Sequence, residues 1–219
     1  FDNLVYVVAS EQHLHFKQLF KILELLKRPY AKNMHHFSYG LVNLPSGRMK
    51  SREGTVVDAD DIMDEISALA EKEIRQRHKD LSTKEVKQRA EEIALAAIKF
   101  YMLKTDPIRD IVFNPEESIS FEGETGPYLQ YTHARACSIV RKAGKVTVKT
   151  DYSLLKEDSE QRIVKLLLQF PEKVEEASQY KIHVLCHYML TLAQAFNEFY
   201  HQFPVISDDK ELMKARLEL

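Results

Sequence analysis

The most concentrated chemistry in the sequence lies between Pro45 and Val57, PSGRMKSREGTVV, where Arg48, Lys50 and Arg52 flank Met49 and Ser51 and Gly54 follows. Cations in a small loop can close over a polyphosphate, and cations that meet charge as it develops stabilise a phosphoryl- or nucleotidyl-transfer transition state more than its ground state. The same composition also suits a contact to nucleic acid or a solvated turn, since single charged turns are energetically near neutral. A second group, Gln12, His13 and His15, follows the first apolar run. At the carboxyl end of a strand and the start of a helix, backbone N–H groups favour anions and polar side chains can meet a ligand. Capping by Ser10 with Glu11 in the first turn is the plainer reading of the same residues. His13 and His15, two apart, do not share a helical face for a metal. His183 and His187 do share one, but they lack a third ligand and an intervening Glu, so they read as a helix-surface pair.

A third group lies in GETGPYLQYTHARACSIVRKAGK, residues 123–145. Residues 133–149 carry five Lys or Arg and no acid, whereas 116–124 carry four Glu. Tyr128 and Tyr131 beside Gln130, His133, Arg135, Arg141 and Lys142 combine stacking faces, hydrogen-bonding side chains and phosphate partners. Single-stranded RNA loops are recognised by that combination. An amphipathic core helix with a basic outer face fits the same residues, and Tyr128 and Tyr131, three apart, can both be core.

These groups need elements to hold them. Leu4–Val8 is a continuous β-branched apolar run, as in a buried parallel strand. Residues 11–27 place Phe16, Leu19, Phe20, Leu23 and Leu26 on a helical stripe that stops at Arg28 and Pro29. Residues 34–44 read as a strand or strand pair, which completes a β–α–β unit and leaves the basic loop where ligands collect in open parallel sheets. From Asp60 the period becomes helical. Asp58 or Asp60 caps a helix with Ile62, Ile66 and Leu69, residues 71–92 form a solvated helical surface, and a further helix spans about 85–103. A long connection rich in Pro and Gly follows, with a short strand at 111–113. Helices are predicted over 127–143, over 158–177 with Pro171 as a break or new start, and over 181–203, where Leu185, Met189, Leu192, Phe196, Phe199 and Phe203 recur at steps of three or four. The fold class is thus mainly α, a partial Rossmann-type α/β segment followed by an α-helical bundle.

Composition sets the outer limits. With 219 residues, 44% hydrophobic and 29% charged, the chain can bury a substantial core. A net charge of -2 requires any nucleic-acid binding to come from local patches. Cys137 and Cys186 lack paired spacing and read as buried thiols of a reducing, cytoplasmic compartment. No apolar run reaches the roughly 20 residues of a membrane span. The absence of an initiator Met and an ending within a helical pattern suggest an excised fragment with both neighbours missing. Half a Rossmann sheet exposes strand edges and apolar faces, so residues 1–57 are expected to self-associate or to be the most mobile part.

Three stretches, EQHLHFKQLFKILELL, HFSYGLVNLPSGRMKSREGTVVDADDIMDEI and FEGETGPYLQYTHARACSIVRK, resemble arginyl-tRNA synthetase, a class I aminoacyl-tRNA synthetase, and the similarity runs along essentially the whole chain. The resemblance implies that residues 1–57 are the later part of a Rossmann-type catalytic domain and residues 58–219 an α-helical anticodon-binding domain. It places Arg48, Met49, Lys50, Ser51 and Arg52 on the five positions of the KMSKS loop, which in the family closes on the triphosphate of ATP. Arg48, Lys50, Ser51 and Arg52 are thereby implied as catalytic, and Gln12, His15 and Met49 as contacts to ATP or arginine. Lys at the third motif position and Ser at the fourth depart from the family pattern. Tyr128, Gln130, Tyr131, His133, Arg135, Arg141 and Lys142 are implied as tRNA contacts. The substrates would be L-arginine, ATP with its Mg²⁺ and an arginine-specific tRNA, with no protein-bound metal, no membrane and a monomeric parent enzyme. The HIGH motif is not present, so this piece is not expected to aminoacylate alone. The alternative is a non-catalytic RNA-binding module built on the same fold.

Overall fold

The structure, a computed structural model, describes residues 2–45 and 58–219. It begins with β1 (Leu4–Ala9), a single 3-10 turn (Ser10–Gln12) and α1 (His13–Leu25), and returns through β2 (Met34–Tyr39). β1 and β2 pair in parallel, Leu4 opposite Met34 and Ala9 opposite Tyr39, as the β-branched run and the intervening helix predict. Ser10 does not cap α1: the 3-10 turn intervenes, and the residue before the helix, Gln12, makes no side-chain capping bond. α1 ends with Lys27 in the left-handed region (φ 51°), the Arg28 N–H returning to the Leu23 carbonyl at 3.0 Å before Pro29 excludes further helix. Only Phe16 of the described residues 2–39 is buried, packed on Tyr6, Phe20 and His36.

A second parallel pairing joins distant segments. β3 (Val42–Asn43) lies beside β4 (Ile111–Val112), Val42 opposite Ile111. Gly40 N–H donates to the Pro107 carbonyl at 2.7 Å and Leu41 N–H to Asp110 Oδ1 at 2.7 Å. A Cβ at Gly40 would stand 2.4 Å from the Arg109 carbonyl, so only glycine permits the approach.

α2 (Ala59–Arg77) and α3 (Thr83–Leu103) form an antiparallel pair. The charge-rich 71–92 region is therefore a hairpin and not one solvated surface. Ala70, Ile74, Val86 and Ala90 are buried in its seam, and a capping box between Ser82 and Glu85 starts α3. Ile62, Ile66, Ala94 and Ala97 meet Phe113 in a separate core cluster, with Val42 and Leu44 against it.

After α4 (Pro115–Ser118), the remaining helices are α5 (Gly126–Ala143), α6 (Asp158–Ser178), α7 (Ile182–Gln202) and α8 (Lys210–Glu218). Pro171 neither breaks nor restarts α6. Residues 167–171 are all exposed, so the carbonyl that proline leaves unbonded can meet water. Ile139, Ile163, Ala195, Phe199 and Val205 form the bundle core. Cys186 is buried and its thiol is pushed up by desolvation, but Cys137 is only half-buried, which corrects the reading of both as core thiols. No helix among the described residues is long and apolar enough to cross a membrane. The architecture is mainly α, with a partial Rossmann-type segment ahead of the bundle.

Candidate nucleic-acid interface

α5 carries most of the third group, and its start is fixed locally. Thr125 Oγ1 accepts from the Tyr128 N–H at 3.1 Å, and Pro127 occupies the first turn. Gly126 lies directly against α3, where an added Cβ would stand 2.1 Å from the Ala96 carbonyl oxygen. The helix is thereby pressed onto α3 at one end while its middle faces α7.

That middle does not present all the sequence-predicted side chains outward. Tyr128 is half-buried and its hydroxyl accepts from Asn197 Nδ2 at 2.9 Å. Gln130 turns toward α3, donating from Nε2 to the Glu92 carbonyl at 3.3 Å. Tyr131, His133, Arg141 and Lys142 are exposed. His133 Nε2 lies 3.5 Å from Cys137 Sγ, one turn further on.

Arg135 organises the outer surface. Its guanidinium carbon lies 4.6 Å from the ring centre of Tyr131 and 4.9 Å from that of Tyr200, so two aromatic faces enclose the cation. Nη2 donates to the Tyr131 hydroxyl at 2.8 Å and Nη1 donates to Asn197 Oδ1. Tyr131 and Tyr200 remain 48% and 38% exposed, enough ring surface to accept a stacked partner.

Two clefts meet at this sandwich. The larger, about 960 Å³, lies between α2, the segment after α4, α5 and α7, and takes in Glu73, Arg77, Phe121, Tyr128 and Glu198. Glu73 and Glu198 are paired with Arg77 and Arg162 at 3.4 and 2.7 Å, and Arg77 lies 5.0 Å over the Phe121 ring. The smaller, about 540 Å³, is walled by Tyr131, Arg135, Lys142, Tyr200 and residues 204–206. No carboxylate lines it among the described residues, so its charge is wholly positive.

The 204–206 wall is held by a buried ion pair. Arg216 on α8 donates from Nε to Glu160 Oε1 at 2.7 Å and from Nη1 to the Pro204 carbonyl at 2.9 Å, and it lies over the Phe199 and Phe203 rings. The Glu160 and Arg216 side chains are 0% and 6% exposed. A buried pair of this kind is tolerated when further hydrogen bonds support it, as the Pro204 carbonyl does for Arg216 and the Glu157 N–H, 3.0 Å from Oε2, does for Glu160.

The other groups are placed as follows. Gln12, His13 and His15 are exposed at the carboxyl end of β1, with His13 5.9 Å from His36 between ring centres. Arg48, Met49, Lys50, Ser51 and Arg52 lie outside the described residues. His183 is half-buried and His187 exposed on α7, and no cluster of three metal-ligating side chains occurs among the described residues. Sequence reasoning did not single out Asn197, Tyr200 or Thr132. Asn197, an amide between Phe196 and Phe199 of the apolar α7 stripe, was the available signal, because a buried amide demands partners.

Residues 1–115 match the family described as tRNA synthetases class I (R), catalytic domain. The chain belongs to the arginyl-tRNA synthetase family. Residues 129–219 match the DALR anticodon binding domain, which takes in most of α5 and all of α6 to α8. The chain is 46% identical along its whole length to the arginine–tRNA ligase of Treponema pallidum, of which it spans 39%. It is similar to the solved arginyl-tRNA synthetase of Thermus thermophilus at a TM-score of 0.86 and 33% identity, covering 99% of this chain and 38% of that one. The arginyl-tRNA synthetase of Plasmodium falciparum, at a TM-score of 0.77 and 23% identity over 99% of this chain and 37% of that one, shares the fold. The chain thus spans under two fifths of these relatives; its smaller cleft lies wholly within the anticodon-binding match, and its larger one is lined from both sides of that match's start.

Proposed function

We propose that this chain is part of an arginine–tRNA ligase that activates L-arginine with ATP, accompanied by Mg²⁺, to arginyl-adenylate and transfers it to an arginine-specific tRNA. In this reading residues 1–57 belong to the catalytic domain and residues 58–219 to the anticodon-binding domain of a monomeric, cytoplasmic enzyme with no protein-bound metal. Arg48, Lys50, Ser51 and Arg52 meet the triphosphate of ATP, with Met49, Gln12 and His15 at the arginine or ATP site. These side chains bind and orient the substrates and offset developing phosphate charge. Catalysis requires the part of the enzyme that carries the HIGH motif.

The observation that carries the RNA half of the proposal is the Arg135 guanidinium between Tyr131 and Tyr200, at the mouth of a groove with Lys142 and no lining carboxylate among the described residues. A base can stack on the exposed tyrosine faces while its phosphate meets Arg135, Arg141 and Lys142. His133, exposed but two residues from both Tyr131 and Arg135, lies on another face of α5 and would meet a different part of the RNA, while Tyr128 and Gln130 support the helix from within.

The test is a fluorescence titration of the chain with an arginine-tRNA transcript and with the same transcript carrying a foreign anticodon, each at two salt concentrations. Tighter, salt-dependent binding to the native anticodon is expected; equal binding of both would remove the anticodon-reading role. Arginine-dependent exchange between ATP and pyrophosphate by the full-length protein separates the ligase from a non-catalytic RNA-binding module.

A further inference from the structure

Asn197 is buried on α7, and its amide joins three side chains of α5. The direction of every bond follows from the partners. Arginine only donates, so Oδ1 of Asn197 must face Arg135. The Thr132 hydroxyl directs its proton to the Tyr128 carbonyl at 2.9 Å, which leaves Thr132 Oγ1 to accept from Asn197 Nδ2 at 2.9 Å. The second Nδ2 proton goes to the Tyr128 hydroxyl oxygen, also at 2.9 Å. A flipped amide would set NH₂ against the guanidinium and a carbonyl against a hydroxyl whose proton is already engaged. Aspartate would supply the acceptor but neither donor, and leucine would supply nothing.

We propose that Asn197 is a positioning residue for RNA binding: it fixes the Arg135 guanidinium between Tyr131 and Tyr200 and leaves the Tyr128 hydroxyl proton free to point into the larger cleft. The inference rests on the RNA-binding reading above. It adds a polarity to that reading. The Tyr131 hydroxyl accepts from Arg135 as the Tyr128 hydroxyl accepts from Asn197, so both hydroxyls have their protons left for a ligand. At these two hydroxyls and along the smaller groove, which no carboxylate lines among the described residues, the surface offers RNA hydrogen-bond donors and aromatic faces and selects acceptor atoms: phosphate oxygens, base carbonyls and unprotonated ring nitrogens. Glu116 and Glu122 at the far side of the larger cleft supply acceptors instead.

The experiment compares the chain with Asn197→Ala, Arg135→Ala and the double variant, titrated with an RNA stem-loop carrying an arginine anticodon over a series of salt concentrations. Asn197→Ala should weaken binding about tenfold and lower the salt slope by about one, as Arg135→Ala does, since each removes a held phosphate partner. The double variant should bind no more weakly than Arg135→Ala alone, because Asn197 acts through Arg135. A merely structural role would lower the fraction of active protein without changing the salt slope. Thr132→Val, nearly isosteric, releases the amide from the α5 side and is read in the same way if Asn197→Ala does not fold. Unchanged affinity in a folded Asn197→Ala chain, or a loss that adds to that of Arg135→Ala, would overturn the positioning role alone. Full affinity in Arg135→Ala would remove the RNA reading, and this one with it.

Discussion

The α/β segment and the helical bundle close their interiors in different ways. β1, α1 and β2 have one buried side chain, Phe16, and leave Val7, Leu14, Ile22, Leu25 and Leu26 more than half exposed. The bundle encloses an apolar core, a buried ion pair and a buried amide whose hydrogen bonds are all made internally. A segment held mainly by backbone pairing tolerates a change of surroundings. A bundle held by directional side-chain bonds does not, and it can therefore keep a cation and two rings in a set geometry.

The contrast can be broken by substitution, most strongly in the bundle. Glu160→Ala leaves Arg216 buried without its carboxylate and should destabilise the bundle by about 4 kcal/mol, read by chemical denaturation. Phe16→Ala should cost about 3 kcal/mol, at the lower end for a buried phenylalanine, because the rings packed on it, Tyr6, Phe20 and His36, are only half-buried. Amide exchange should place that loss in residues 4–39 and leave α5 to α8 protected; an equal loss of protection in the bundle would mean that the two regions fold as one. Gly126→Ala drives a methyl into the Ala96 carbonyl and should cost about 2 kcal/mol by thermal unfolding, with α5 displaced from α3.

Two smaller effects sharpen the comparison. Hydrogen bonds from Ser82, first its side chain and then its backbone, hold the Glu85 carboxyl below the usual glutamate range. The capping contribution is therefore present above the unfolded pKa and is lost as pH falls through the depressed folded value. Stability measured against pH should drop over that window in the parent chain and more weakly in Glu85→Gln. Leu25→Lys, at a 70% exposed position, should change stability by less than about 0.5 kcal/mol while reducing any self-association seen by sedimentation.

Much of the fold was legible because periodicity is a local property. Residues 127–143 and 181–203 were read as helices and lie within one residue of α5 and α7 at each end. The parallel pairing of β1 with β2 followed from two apolar runs and a connecting helix. The α2–α3 seam was obscured because its buried positions include alanines among many charges, and small side chains contribute little to an apolar pattern. On α7 the six-residue stripe includes Met189, which is 38% exposed, and omits Tyr188, Asn197 and the two alanines, Ala193 and Ala195, all of which are buried. The helix is packed on more than one side, against both α5 and α6, and single-face reasoning does not anticipate that. Arg135 was legible as a cation; Tyr200, 65 positions later, was joined to it only by the packing of two helices.

The ribbon of β3 and β4 bears on how the molecule can be taken apart. Leu41 and Asp110 are 69 positions apart, yet the Leu41 N–H donates to Asp110, the Ile111 N–H to the Leu41 carbonyl and the Phe113 N–H to the Asn43 carbonyl. Beyond β4 the chain runs directly into α4 and the wall of the larger cleft. An expression clone begun at residue 58 would strip two backbone donors of their acceptors and uncover Phe113 from Val42 and Leu44. Excision that preserves the cleft must carry residues 40–45 with the helices, or supply a replacement strand in trans.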